Sequence, residues 1–130
     1  MKIERAPDVE TVVRDIVESL EIEYIDKERL ICMRSFDSQA NAYARIWSLP
    51  QMWQKALDIR TFYVIEVLSQ HYDKLNSEEQ EKVIIHELLH IPKTFSGALV
   101  PHNFQWRKIT KKEVDRIHKE YQKMKNSKKE

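Results

Sequence analysis

Glycine and cysteine are almost missing from this chain: 130 residues hold one of each, Gly97 and Cys32. A lone cysteine excludes an internal disulfide framework and a cysteine-based zinc finger, so any metal site must use histidine and carboxylate. A reducing compartment suits such a chain. No apolar run approaches the ~20 residues that a membrane span needs. Met1–Arg5 carries no apolar segment of the signal-peptide kind. The expectation is a cytoplasmic protein with no membrane partner. Neither sign of charge dominates: the formal net charge is +1, which argues against a globally basic nucleic-acid binder. What is present is a hydrophobic fraction of 42%, enough for one core.

The apolar spacing predicts an alternating architecture. Val9, Val12, Val13, Ile16, Val17 and Leu20 repeat at helical steps, with Asp8 placed to cap the helix just after Pro7. Glu21–Ile25 and Leu30–Arg34 read as short strands around a turn at Asp26-Lys27-Glu28. Phe36–Asn41 reads as a loop, Ala42–Leu49 as a strand ended by Pro50, and Met52–Leu57 as a short helical turn. Thr61–Leu68, rich in β-branched and aromatic residues, is the strongest strand signal. Ser77 with Gln80 has capping-box spacing and opens a helix carrying Val83, Ile84, Leu88 and Ile91, which stops before Pro92. After a loop at 92–104, Trp106, Ile109, Val114, Ile117, Tyr121 and Met124 predict a final helix. The domain is expected over residues 1–122, with a basic, frayed tail at 123–130. The fold class is therefore α+β: an N-terminal helix, a small mixed sheet, a motif helix and a C-terminal helix.

Histidine is also scarce, yet three of the five histidines fall between positions 86 and 102. His86-Glu87-Leu88-Leu89-His90 reads HExxH. Helical residues four apart share a face, so His86 and His90 can grip one metal ion. Glu87, one position round, can reach a water on that metal as a general base. A catalytic zinc usually takes three protein ligands. His102 is the leading third ligand, because Pro92 stops the helix and Gly97 can adopt a positive φ that turns the chain back. A surface His102 on an ordinary turn is the plainer alternative. Glu113 is the runner-up ligand, although Lys111, Lys112 and Asp115 around it suggest a solvated face. His118 reads as structural or surface, and His71 could approach the cleft. Tyr63, Tyr72, His71, Arg107 and Tyr121 are each able to donate to an oxyanion.

Such a site points to hydrolysis by a zinc-activated water, with Glu87 passing its proton to the leaving nitrogen. Thr61–Leu68 precedes the motif helix in the right order for an edge strand that pairs with an extended peptide. A central core strand is the equal alternative.

The run from Glu81 to Gly97, with Pro101-His102-Asn103-Phe104-Gln105-Trp106 and the preceding Phe62–Leu75, resembles the putative metallopeptidases of archaea and phages. These are minimal zincins similar to SprT-like and WLM-type proteins. The resemblance covers about residues 40–122. It implies Zn2+ at His86, His90 and His102, Glu87 as catalytic base, and a peptide or unfolded protein as substrate. Asn103 stands where SprT-like chains usually carry glycine, and the longer HExxHxxGxxH pattern is absent, so a DNA-repair role does not transfer. Two other readings compete: a metal-dependent hydrolase of another substrate such as RNA, which the lysines after Lys123 favour weakly, and a binding protein stabilised by metal.

Overall fold

Pro7 sets the start of the first helix, where its missing N–H leaves no helical bond unmade. The computed structural model describes residues 2–102 and 109–128, and these form five α-helices and four strands. Lys2–Arg5 is β1 and leads directly into α1, Pro7–Ser19. Ala6 rather than Asp8 is the cap residue; Asp8 and Glu10 instead put negative charge in the first turn, where the helix dipole favours it. Val9, Val13, Ile16 and Val17 are buried.

The end of α1 corrects the predicted strand at Glu21–Ile25. Glu21 has φ 53°, and the N–H of Ile22 reaches back to the Val17 carbonyl at 3.0 Å. This closes the helix with a left-handed residue and leaves turns, not a strand, up to Ile25. The alternation at Ile22, Tyr24 and Ile25 reflects packing of those turns against the core. Asp26 then accepts the Glu28 N–H at 3.0 Å and caps a 3-10 turn, Lys27–Arg29.

β2 is Leu30–Phe36, β3 is Ala44–Ser48 and β4 is Tyr63–Leu68. The sheet order is β1-β2-β4-β3. β2 pairs with β1 antiparallel and with β4 parallel, while β3 pairs with β4 antiparallel. β2 therefore pairs not with a neighbouring hairpin arm but with the charged segment Lys2–Arg5. β4 is central, which settles the position of the strongest strand against its use as an edge. The edge on that side is β3.

α2, Gln51–Leu57, links β3 to β4, and α3, Ser69–Tyr72, follows β4. α4 is Ser77–Leu88. Its cap is Asn76, one residue before the expected Ser77. Asn76 accepts the Glu79 N–H at 2.9 Å, and Glu79 accepts the Asn76 N–H at 3.3 Å. α5 is Lys111–Lys128; Trp106, expected in the same apolar stripe, lies outside the described residues. No helix among the described residues is long and apolar enough to cross a membrane.

One sheet face carries Leu30, Cys32, Tyr63, Ile65 and Val67 into a common core with α1, α4 and α5. Strand alternation sends Glu66 to the other face. There it is buried and accepts Ser35 Oγ at 2.6 Å, Trp47 Nε1 at 2.8 Å and Arg45 Nη2 at 2.9 Å. Arg45 and Trp47 belong to β3, so this carboxylate ties the edge strand to the centre of the sheet.

Candidate metal centre

α4 delivers the first half of the site. Ile84, Ile85 and Leu88 are buried in the core, which turns His86 and Glu87 towards the opposite side of the last turn. The helix ends at Leu88, and the N–H of His90 bonds the Glu87 carbonyl at 3.1 Å, three residues back. This tightened turn still stacks His90 beside His86, with ring centroids 5.3 Å apart.

The second half arrives on a return loop with several separate anchors. Gly97 has φ 99°; a Cβ there would meet Gln54 Nε2 at 2.4 Å, the Leu49 carbonyl at 2.9 Å and Thr61 Oγ1 at 2.9 Å. Only glycine fits both the angle and the space. The hydroxyl of buried Tyr63 accepts the Gly97 N–H and donates to the Ala98 carbonyl, each at 2.8 Å. Phe95, itself at φ 47°, packs edge-on against Tyr63. Val100 is bound twice to His90: its N–H reaches the His90 carbonyl at 2.7 Å, and its own carbonyl accepts His90 Nδ1 at 2.6 Å. Two residues on, the His102 ring lies 4.6 Å from that of His90 and 5.1 Å from that of His86.

The donor set fits a zinc ion. His86, His90 and His102 each offer one ligand atom, all within 4.8 Å of one another. Nε2 of His86 and Nε2 of His102 are 3.1 Å apart. Tetrahedral zinc with Zn–N of 2.0–2.1 Å requires nitrogens about 3.3 Å apart. Donation from His90 Nδ1 to Val100 leaves Nε2 with its lone pair, the tautomer that a metal ligand needs. Burial, then the neighbouring His90 and His102, pushes the His86 pKa down to about 4, and burial lowers that of His90 as well. Both rings are thus neutral at pH 7, as ligands must be. Glu87 is buried beside them, and burial pushes its pKa up to about 7.

A cleft of about 790 Å³ opens over these groups, lined by His86, Glu87, His90 and His102 together with parts of α4, α5 and the start of β3. Other expected participants lie elsewhere. Glu113 makes a two-point ion pair with Arg116 on α5. His118 is buried between α4 and α5, 2.8 Å from Glu81. Tyr63 braces the loop, Tyr72 is buried, and Tyr121 bonds Asp15. His71 packs against Tyr43 rather than lining the cleft, and Arg107 lies outside the described residues. Tyr43 and Arg45 also line the cleft, and no motif marks either of them in the sequence. Their one signal is their place at the start of the Ala42–Leu49 strand, and it has no meaning until that strand is known to be the edge.

Residues 1–127 match the profile of a family described as putative phage metallopeptidase. The chain belongs to that family. The match spans the sheet, the histidine group and nearly all of α5, so this metallopeptidase family takes in the whole architecture described above. No curated protein and no solved structure matches the chain.

Proposed function

We propose that this chain is a zinc-dependent peptidase in which His86, His90 and His102 hold the metal and Glu87 is the general base. The observation that carries this reading is the meeting of three imidazoles and one buried carboxylate in a single cleft. Membership of a metallopeptidase family supplies the substrate class, a peptide or unfolded protein.

Zinc, when bound, supplies Lewis-acid polarisation of the scissile carbonyl and acidifies water towards neutrality. Glu87 takes the proton from the attacking water on its carboxylate and returns it to the leaving nitrogen. Its burial strengthens its hold on a proton, which suits the second half of that shuttle. Val100 fixes the ring of His90, and the Tyr63–Gly97 brace fixes the approach of His102. Tyr43 stands at the cleft wall, where a phenol can donate to the developing oxyanion. Among the described residues no strand pairs with the outer edge of β3 beside the cleft, so an extended peptide can add to the sheet there. A cytoplasmic location belongs to the same reading, resting on the single buried thiol of Cys32.

The test is incubation of the metal-loaded protein with unfolded casein, a peptide library and single-stranded RNA, with and without chelator. Peptide cleavage that chelator abolishes is expected. Cleavage of RNA alone, or cleavage indifferent to chelator, would sink the peptidase reading. Metal analysis in parallel should find about one zinc per chain, lost in His102→Ala and kept in Glu113→Ala.

A further inference from the structure

α2 presents its apolar side to solvent and is anchored through a polar residue, the reverse of an ordinary surface helix. Met52 and Ala56, and Trp53 and Leu57, are pairs four residues apart, so the four share one face. That face is open: Met52 is 78% exposed, Trp53 56% and Leu57 55%. No residue of α2 is buried, and the half-buried one is Gln54, on the opposite side. Its Nε2 donates to the Leu49 carbonyl at 2.7 Å and approaches the Ser96 carbonyl at 3.4 Å. The far end is closed by Asp58 at φ 53°, with the Ile59 N–H on the Gln54 carbonyl at 3.0 Å. Hydrogen bonds thus hold α2 in place while its apolar face points outward.

Trp47, 54% exposed, stands on β3 four residues before α2 begins, and Ile59, 42% exposed, follows its end. At about 200 Å² for each side chain, these five residues expose roughly 600 Å², and surfaces of that size on a monomer mark interaction sites. A stable dimer buries about 800 Å² on each partner, so the patch is small for a second copy. An anionic membrane is gripped by clusters of about four to eight basic residues, whereas α2 and its end carry Lys55 and Arg60 with Asp58 between them. What the patch does continue is the outer edge of β3. That strand borders the cleft at Ala44 and Arg45 and leads through Pro50 into α2. From Arg45 to Pro50 an extended chain covers about 17 Å. A polypeptide laid along this edge from the metal group therefore reaches Trp47 and then α2 within about five residues.

We infer that α2 and Trp47 form a docking face for an apolar segment of the polypeptide being cut, remote from the bond itself. The inference rests on the peptidase reading and narrows its substrate class. Long, unfolded chains that expose leucine or phenylalanine are favoured over short peptides. Gln54 stands against Gly97 on the loop that carries His102, so the docking face is fixed relative to the metal group.

Two labelled peptides test this by fluorescence anisotropy on the zinc-loaded Glu87→Gln protein. One is a hexapeptide of alanine and serine. The other extends it on each side by a glycine–serine spacer of about five residues and a leucine–phenylalanine–leucine segment. The long peptide should bind at least about tenfold tighter, the gain from burying one leucine-sized group. Trp53→Glu combined with Leu57→Glu should abolish that gain and leave the hexapeptide's Kd unchanged. Both side chains are exposed, and circular dichroism with one zinc per chain checks the fold of the double variant. Lys55→Ala, on the other side of α2, should keep the gain. Equal Kd for the two peptides, binding of neither, or an undiminished gain in the double variant would overturn the inference. So would a dimer, or binding to vesicles of phosphatidylcholine with phosphatidylglycerol, that the double variant loses. A gain lost in the double variant, with a wild-type protein that cuts neither peptide nor casein, would uphold the docking face and defeat the peptidase reading. Chelator-sensitive cleavage of both peptides at the same kcat/KM would do the reverse.

Discussion

Glu87 is subject to two opposed influences. Burial raises its proton affinity to a pKa of about 7, whereas a divalent cation beside it favours the carboxylate. A base must be ionised when water attacks and protonated when the leaving group departs, and opposition of this kind keeps both states accessible near neutral pH. Replacing it separates its chemistry from its packing. Glu87→Gln keeps the volume and should bind zinc as the wild-type protein does while kcat falls by about 10²–10⁴-fold. Metal analysis and peptide turnover on the same preparation check this, and unchanged turnover would remove Glu87 from the mechanism. His86 and His90 owe their nearness to helical periodicity, a local property. His118 stands apart from them, paired with Glu81 at the α4–α5 contact.

Two elements position the cleft, the return loop and the edge strand. The loop depends on Gly97. Gly97→Ala places a methyl within 2.9 Å of two oxygens at a φ of 99°, strain worth about 1–3 kcal/mol. The variant should show a lower Tm and a zinc affinity reduced by at least about tenfold, because the displaced loop carries His102. Tight zinc binding at wild-type affinity would show that His102 does not depend on this brace. The edge strand depends on Glu66. Burial would raise its pKa, but the hydrogen bonds from Arg45, Ser35 and Trp47 and the Arg45 charge outweigh that and hold it below the usual carboxylate range. A depressed folded value means that the ionised network stabilises the fold fully above the unfolded-chain pKa of about 4.3. That contribution is lost as pH falls through the folded value. Glu66→Gln should therefore be less stable by about 1.5–3 kcal/mol at neutral pH, with a flatter decline in acid. Urea midpoints measured between about pH 3 and pH 7 test this; parallel curves for the two proteins would refute it.

At the scale of the molecule, a metal at the triad would join the end of α4 to the return loop, two segments already tied through Val100. A ligand that binds only the folded state stabilises it by mass action. Zinc at about 100 times its Kd should raise Tm by roughly 10 °C, and chelator should reverse the gain. A Tm indifferent to zinc and chelator would argue against a site of this affinity. The fold class was legible in the sequence because helical and strand periods are local. β4, α1, α4 and the C-terminal helix all announce themselves by spacing. Their neighbours do not. The sequence marks no strand at Lys2–Arg5, which becomes one by pairing with β2. The alternation at Glu21–Ile25 looks like a strand and is a helix stop followed by turns.

By itself, the sequence determined that His86, Glu87 and His90 lie together, since five consecutive residues on one helical turn have no other arrangement. It also marked the return, through one proline and the chain's single glycine. Only the tertiary structure decided what surrounds that motif. The order β1-β2-β4-β3 put the strongest strand in the centre and left Tyr43 and Arg45 at the cleft. Tyr63 became a loop brace through contacts 34 and 35 residues away in the chain. Such pairings depend on how whole elements pack, and no local preference encodes which distant residue will stand opposite.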